Sequence, residues 1–491
     1  MDSQSPTVDS SAATWSQRAW RALCVFLSRS FYSRFEVSGL ENLPTSGPVI
    51  LCANHVNALA DAVVVQAAMP RPIHPIARSG LFRSPIFRPI LSFIQAVPIA
   101  RRRPDGGGST REANEASFAK LFEYLALGRV ILIFPEGQSH SDPSLRPLKT
   151  GAARMAVGHL RRTGERVTVV PVGLTFTQKG RFRSSVLVQA GAPVVLDEDW
   201  KAEDAQEDGV VAGAPGPHDA EAHDEYLIRR YTDEILHGLE SVTLNMDSWQ
   251  DLSLLKHLQH FFALRARRGD RPTLAQRFRS LHELSETHRK LRARWPDKVH
   301  LLRLKLERFE ALCRRHGVQD YQLELKYSPA VVASFTARHL AILLVVTPIA
   351  LWGLANSLIP YWLARRASSV SAKGRDQYDT AGMLFGLFFF GLFWGAQTAF
   401  VAWRFGLWPQ AALYALSLPV TSAVALFLAR QRTRILEEVR VFWLFMRRRE
   451  LRAYLGTKRK ELEIDVAAMA RLAKRLRDEG TKSRRRGITA S

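Results

Sequence analysis

Three stretches of this chain carry no charged side chain: residues 340–364, 380–403 and 405–429, each 24 or 25 residues long. A helix rises about 1.5 Å per residue, so each run is long enough to cross a hydrocarbon layer of about 30 Å. Arg404 alone separates the last two, with Gly406 and Pro409 beside it, which predicts a tight helical hairpin. Pro348, Gly353, Asn356 and Pro360 interrupt the first run. Two readings of it stay open: a single crossing, or a broken helix that dips in and returns.

Residues 36–196 follow a different rhythm. Val49-Ile50-Leu51-Cys52-Ala53, Val130-Ile131-Leu132-Ile133-Phe134 and Val167-Thr168-Val169-Val170 are short, β-rich apolar runs bounded by turn residues. Helical stretches such as 111–127 lie between them. This alternation predicts an α/β domain with an at least partly parallel sheet, its strands buried on both faces. Ahead of it, residues 14–35 read as an amphipathic helix. Trp15, Trp20, Leu23, Phe26, Leu27 and Phe31 are interleaved there with Arg18, Arg21, Arg29 and Arg34. Such a helix either lies on a bilayer surface or covers a core.

The chain therefore divides by composition. Residues 1–35 hold the amphipathic helix and no cleavable signal pattern; 36–196 hold the α/β domain. Residues 197–225 carry 11 Asp/Glu and one Lys around Gly-Ala-Pro-Gly-Pro at 213–217, the composition of a solvated, disordered linker. Residues 226–328 are basic and helix-rich. Leu291, Trp295, Leu302, Leu306 and Phe309 predict a cationic helix pair there, better suited to lipid head groups than to nucleic acid. A membrane region follows at 329–429, then a basic helical tail at 430–491 with 19 Lys/Arg against 8 Asp/Glu. Arg365, Arg366, Lys373 and Arg375 lie between the first two apolar runs. Positive flanks favour the cytoplasmic face, so the hairpin is expected to go out and back.

Composition narrows the partners. At 491 residues the chain has room for two to four domains. Its 69 Lys/Arg against 46 Asp/Glu leave a net charge of +23, which points to an anionic partner: nucleic acid, a phospholipid surface or a phosphorylated substrate. Cys24, Cys52 and Cys313 exclude a disulfide framework, match no metal or redox spacing, and read as buried free thiols.

Four segments directly after apolar strands are candidates for chemistry, because ligands of such folds gather at strand carboxyl ends. In Asn54-His55-Val56-Asn57-Ala58-Leu59-Ala60-Asp61, His55 can take a proton from a hydroxyl with Asp61 orienting it, or simply cap a helix. Ile94-Gln95-Ala96-Val97-Pro98-Ile99-Ala100-Arg101 runs into Arg102-Arg103: phosphate-binding guanidinium groups, or a solvated basic turn. Phe134-Pro135-Glu136-Gly137-Gln138-Ser139-His140 sets a carboxylate just past a buried strand, where it meets a polar substrate or merely ends the strand. Val169-Val170-Pro171-Val172-Gly173-Leu174 carries a proline that fits an edge position or a strand start.

In this order the four segments resemble the motif blocks of the phospholipid/glycerol acyltransferase family. Those blocks are a His–Asp motif, an Arg-bearing strand end, Phe-Pro-Glu-Gly and an apolar-Pro segment. The resemblance covers roughly residues 30–196. It includes Gly39-Leu40-Glu41-Asn42-Leu43-Pro44 before the first block and Leu148-Lys149-Thr150-Gly151-Ala152 after the third. Asn57 and the Phe-Pro-Glu-Gly-x-Ser-His string are similar to the yeast-type glycerol-3-phosphate/dihydroxyacetone-phosphate acyltransferase branch and its bacterial relatives. Two features depart from the usual pattern. Five residues, not four, separate His55 from Asp61, and Ala96 stands where many relatives carry glycine.

The resemblance implies a membrane-bound O-acyltransferase of glycerophospholipid synthesis. It would move an acyl group from acyl-CoA or acyl carrier protein to glycerol-3-phosphate or 1-acylglycerol-3-phosphate. His55 would be the general base and Asp61 its orienting acid. Arg101 would hold the acceptor phosphate, and Glu136, Gly137 and Ser139 would line the acceptor pocket. Backbone N–H groups near the His helix would stabilise the oxyanion. No covalent acyl-enzyme, metal or cofactor beyond the thioester is implied. The expected partners are the thioester, the acceptor and anionic membrane lipids, with no nucleic acid. Coenzyme A thioesters are made in the cytoplasm, so the catalytic domain is expected on that face, which favours the returning form of the first apolar run. The alternatives are a lysophospholipid remodelling enzyme with another head group, an inactive membrane-tethered scaffold, and a membrane-anchored nucleic-acid binder.

Overall fold

Along residues 49–53 the side chains alternate: Val49, Leu51 and Ala53 enter one apolar cluster, Ile50 and Cys52 another, and all are buried. That is a strand covered on both faces, as its unbroken apolar run predicts. The structure, a computed structural model, describes residues 14–83, 85, 87–100, 109–194, 220–265, 272–323, 329–372, 374, 376–406 and 408–488. Among them, one sheet holds β1 (Arg34–Ser38), β2 (Val49–Ala53), β3 (Ile73–Arg78), β4 (Val97–Ile99), β5 (Val130–Ile133), β6 (Thr168–Phe176) and β7 (Ser185–Ala190). Their order is β1-β7-β6-β2-β5-β3-β4. The run from β6 to β4 is parallel throughout. β7 returns antiparallel to β6, and β1 lies parallel to β7. The sheet is thus mixed and mostly parallel, and the carboxyl ends of β2, β5 and β6 share one edge.

Helices cover both faces. On one, α1 (Trp15–Phe31) and α2 (Leu59–Ala68) bury Cys24, Phe31, Val64 and Val65 against Leu51, Leu132 and Val172. A short α3 (Phe87–Phe93) precedes β4. On the other face lie α4 (Ser109–Ala126), α5 (Gly151–Thr163) and α6 (Ala220–Val242), which bury Leu121, Met155 and Ile235 against Ile50, Ile131 and Val169. α1 therefore covers a core, while its Trp15 (73 %) and Phe26 (60 %) stay exposed.

Two sequence expectations are corrected. The acidic linker was placed at 197–225, but helix begins at Ala220. Carboxylates near a helix amino terminus meet the positive end of its dipole, and Asp224 also accepts from Arg161 Nε at 2.9 Å. Residues 195–219 lie outside the described residues. Pro171 was expected at an edge or a strand start; it sits inside β6, between β2 and β7. The β6–β7 ladder begins only at Val172, so the proline stands beyond its last rung.

The chain divides into two compact units. The sheet and its helices belong to the first, together with Pro272–Phe278 and Val370–Met383. The second is helical. It is built from α7 (Trp249–Arg265), α8 (Leu274–Arg294), α9 (Pro296–His316), α10 (Pro329–Ser371), α11 (Tyr378–Phe405), α12 (Trp408–Arg447) and α13 (Arg449–Ile488). Short stretches of α8, α10 and α11 fall in the first unit. Leu302, Leu306, Phe309, Val441, Phe445 and Leu455 share its core.

The first apolar run lies inside α10, which continues through Pro348 and Pro360. The broken, returning form is therefore not the one seen. At Pro360 the carbonyl left free four residues earlier, that of Asn356, accepts from Gln397 Nε2 at 3.2 Å. Between α11 and α12, Gly406 takes φ +65°. Among the described residues, α11 and α12 are long and apolar enough to cross a membrane.

Candidate active site

Strand β2 ends at Ala53, and Asn54 fixes that end against β6. Its Oδ1 accepts from Leu174 N at 2.7 Å, and its Nδ2 donates to the Leu174 carbonyl at 3.2 Å. The side-chain amide thus adds a rung to the ladder. The chain then enters α2 through Ala58, at φ 47° and ψ −129°. A residue with a Cβ is strained there. Ala60 N closes the turn onto the Asn57 carbonyl at 3.1 Å. This turn absorbs the longer His–Asp spacing and aims Asp61 back at His55.

Asp61 Oδ2 lies 2.9 Å from His55 Nδ1 and accepts from Val56 N at 2.8 Å and Asn57 N at 2.7 Å. Asp61 is fully buried. An oxygen already holding two N–H donors faces Nδ1 as an acceptor. That assigns the proton to Nδ1 and leaves the lone pair on Nε2. Nε2 makes no hydrogen bond among the described residues, and 18 % of the His55 side chain is exposed. Phe134 stacks on the imidazole with ring centroids 4.1 Å apart, which fixes the plane of the ring.

Strand β5 brings the second loop alongside. Glu136 Oε1 accepts from His55 N at 2.7 Å, and Oε2 accepts from Arg146 N at 2.9 Å and from His140 Nε2. Asp142 N donates to His140 Nδ1 at 3.1 Å, so Nε2 is the protonated nitrogen. His140 N in turn donates to the His55 carbonyl at 3.1 Å. Gly137 closes the turn onto Phe134 O at 2.9 Å with φ +74°, a conformation that suits glycine.

A third segment, 376–380, meets both loops. Asp379, fully buried, accepts from Asn57 Nδ2 at 2.6 Å, Tyr32 Oη at 3.2 Å and Gly180 N at 2.8 Å. Thr380 Oγ1 accepts from Ala60 N at 3.0 Å and donates to the Asn57 carbonyl at 3.2 Å. Ser139 Oγ donates to Asp376 Oδ2 at 2.6 Å. Lys179 Nζ lies 3.5 Å from the His140 carbonyl. Burial lowers its ammonium below the ordinary range, while the charges of Asp61, Asp376, Asp379 and Glu136 pull the other way.

Residues 34–175 match the family model described as Acyltransferase. This α/β unit is an acyltransferase-family domain. The chain is 29 % identical over 146 residues to glycerol-3-phosphate O-acyltransferase 1 of Saccharomyces cerevisiae, covering 30 % of this chain and 17 % of that one. To glycerol-3-phosphate O-acyltransferase 2 of the same yeast it is 40 % identical over 85 residues, 17 % of this chain and 11 % of the other. A chloroplastic 1-acyl-sn-glycerol-3-phosphate acyltransferase of Brassica napus is 28 % identical over 163 residues, 33 % of this chain and 42 % of that one. The chain thus spans less than half the length of each of these curated relatives.

The acyltransferase domain brings some of the sequence-predicted residues together and moves others. His55, Asp61, Glu136 and Gly137 meet at the shared strand edge. Glu136 was expected to line an acceptor pocket; its side chain is wholly buried, and both oxygens hold intramolecular donors behind the His55 backbone. Ser139 spends its hydroxyl hydrogen on Asp376. Arg101 lies outside the described residues, two positions beyond the end of β4. The N–H groups of His55, Val56, Asn57 and Ala60 are all engaged, which leaves these four out as oxyanion donors. Cys52 is core, its thiol pushed up by burial. Sequence reasoning missed Tyr32, Lys179, Asp379 and Thr380. One signal was available: Asp376 and Asp379 are the sole acids among residues 365–403, in an otherwise basic loop.

Proposed function

We propose that the protein transfers an acyl group from a thioester, acyl-CoA or acyl carrier protein, to a hydroxyl of glycerol-3-phosphate or 1-acylglycerol-3-phosphate. The observation that carries this reading is the His55–Asp61 pair, set in an acyltransferase-family domain with Nε2 left unbonded among the described residues. Nε2 takes the proton of the acceptor hydroxyl as its oxygen attacks the thioester carbonyl. Asp61 stabilises the imidazolium that forms. Collapse of the tetrahedral intermediate breaks the C–S bond, and the departing sulfur takes the proton from Nε2. Arg101 is the proposed ligand of the acceptor phosphate, with Lys179 adding positive charge beside the base. The yeast and plant relatives named above support this acceptor class.

The test incubates membranes containing the full chain with acyl-CoA and either acceptor, and reads the lipid product. Product from at least one acceptor is expected, and His55→Ala should lower turnover by at least about 10²-fold. Retained turnover would remove His55 from the mechanism. Product only with a lysophospholipid of another head group would overturn the acceptor assignment. No thiol release with any acceptor would leave a scaffold.

A further inference from the structure

We propose that Asp379 is a positioning residue for the His55 base, acting through Asn57, with Thr380 assisting. The inference rests on the reading of His55 given above. The loop from His55 to Asp61 passes through the strained backbone of Ala58. A strained residue persists only where its surroundings over-determine it. Here the clamps are visible on both sides. Asn57, before Ala58, gives its Nδ2 hydrogen to Asp379 at 2.6 Å. Ala60, after it, gives its N–H to Thr380 Oγ1 at 3.0 Å, and the same hydroxyl donates back to the Asn57 carbonyl at 3.2 Å. Asn57 N is also one of the two backbone donors on Asp61. A shift of Asn57 therefore moves the carboxylate that holds the imidazole.

The chemistry of Asp379 fits this task. Its oxygens meet donors from three separate places, the residue capping α1 (Tyr32), the β6–β7 loop (Gly180) and the loop after β2 (Asn57). Charge-assisted bonds of this kind are short and directional, so they set position as well as supply energy. The pull converges on the loop carrying the base, and the anion sits in the first turn of α11, preceded in sequence by the basic Arg365, Arg366, Lys373 and Arg375. A misplacement of about 1 Å at a reacting group can cost about 10²-fold in rate.

The experiment measures kcat and KM of the full chain in membranes for Asp379→Asn, Thr380→Val and the swap N57D/D379N. Asp379→Asn is also made on a His55→Ala background. Asp379→Asn should lower kcat about 10- to 100-fold, with KM for the thioester within about twofold. In the swap, the new amide accepts from Gly180 N and donates to the new carboxylate, so most of the lost rate should return. On the His55→Ala background, Asp379→Asn should leave the residual rate unchanged, because its effect passes through the imidazole. A merely structural role lowers that residual rate too, and shows no rescue. Either result overturns the proposal, as does a near wild-type kcat for Asp379→Asn while His55→Ala is inactive. Full activity of His55→Ala instead strikes the base assignment itself. If Asp379→Asn does not accumulate, Thr380→Val keeps the carboxylate and must still lower kcat severalfold; an unchanged value sinks the idea.

Discussion

At the scale of residues, the site depends on a single awkward backbone. Ala58 holds φ 47° with a Cβ attached, a conformation that costs of order 1–3 kcal/mol. Glycine would relieve the strain at a smaller cost in unfolded-chain entropy, whereas a β-branched side chain would deepen it. Ala58→Gly is therefore expected to hold or raise the melting temperature, and Ala58→Val to destabilise by more than about 1 kcal/mol. Thermal melts of both variants check this; equal melting temperatures would show that Ala58 is not strained. The contact between His55 and Asp61 was legible because it needs only two residue types at a short spacing. The place of Glu136 was not, because a carboxylate after a strand reads alike whether it faces substrate or braces a backbone N–H.

At the scale of elements, the apolar-Pro segment shows what a motif can serve besides chemistry. Pro171 and Gly173 lie in β6, under α6. A Cβ on Gly173 would run into the carbonyl of Val242, at the end of α6. Backbone cannot swing aside as a flexible side chain can, so the helix must lift. Gly173→Ala should cost about 1–3 kcal/mol, read as a lower denaturation midpoint, with kcat per folded molecule retained. An unchanged midpoint would mean that α6 is free to move. The sheet itself was legible from unbroken apolar runs. The position of Pro171 was not, since an edge position and a site beyond the last rung of a neighbouring strand look the same along the chain.

At the scale of the whole molecule, α11 and α12 set the expectation of membrane insertion. Phe388, Leu392, Phe400 and Trp403 are exposed on α11, and Leu413, Leu416 and Phe427 on α12. Such apolar surface is expected to meet lipid. We expect the full chain to stay with membranes through alkaline carbonate extraction; release into the supernatant would remove the spanning hairpin. Residues 370–383 fold into the acyltransferase unit, so the start of α11 belongs to the same compact body as the site.

By itself, the sequence determined whatever depends on near neighbours. Helix and strand periodicity, the uncharged runs and the His–Asp spacing are all patterns of adjacent side chains, and local physics acts on them directly. Only the tertiary structure decided what depends on distant partners. Asn57 and Asp379 stand 322 positions apart, and no local pattern links them. Their contact exists because the sheet, α1 and the first turn of α11 bring one buried anion to three stray donors. Burial settles such pairings, since an unpaired polar group away from water is costly, and burial is a property of the folded molecule.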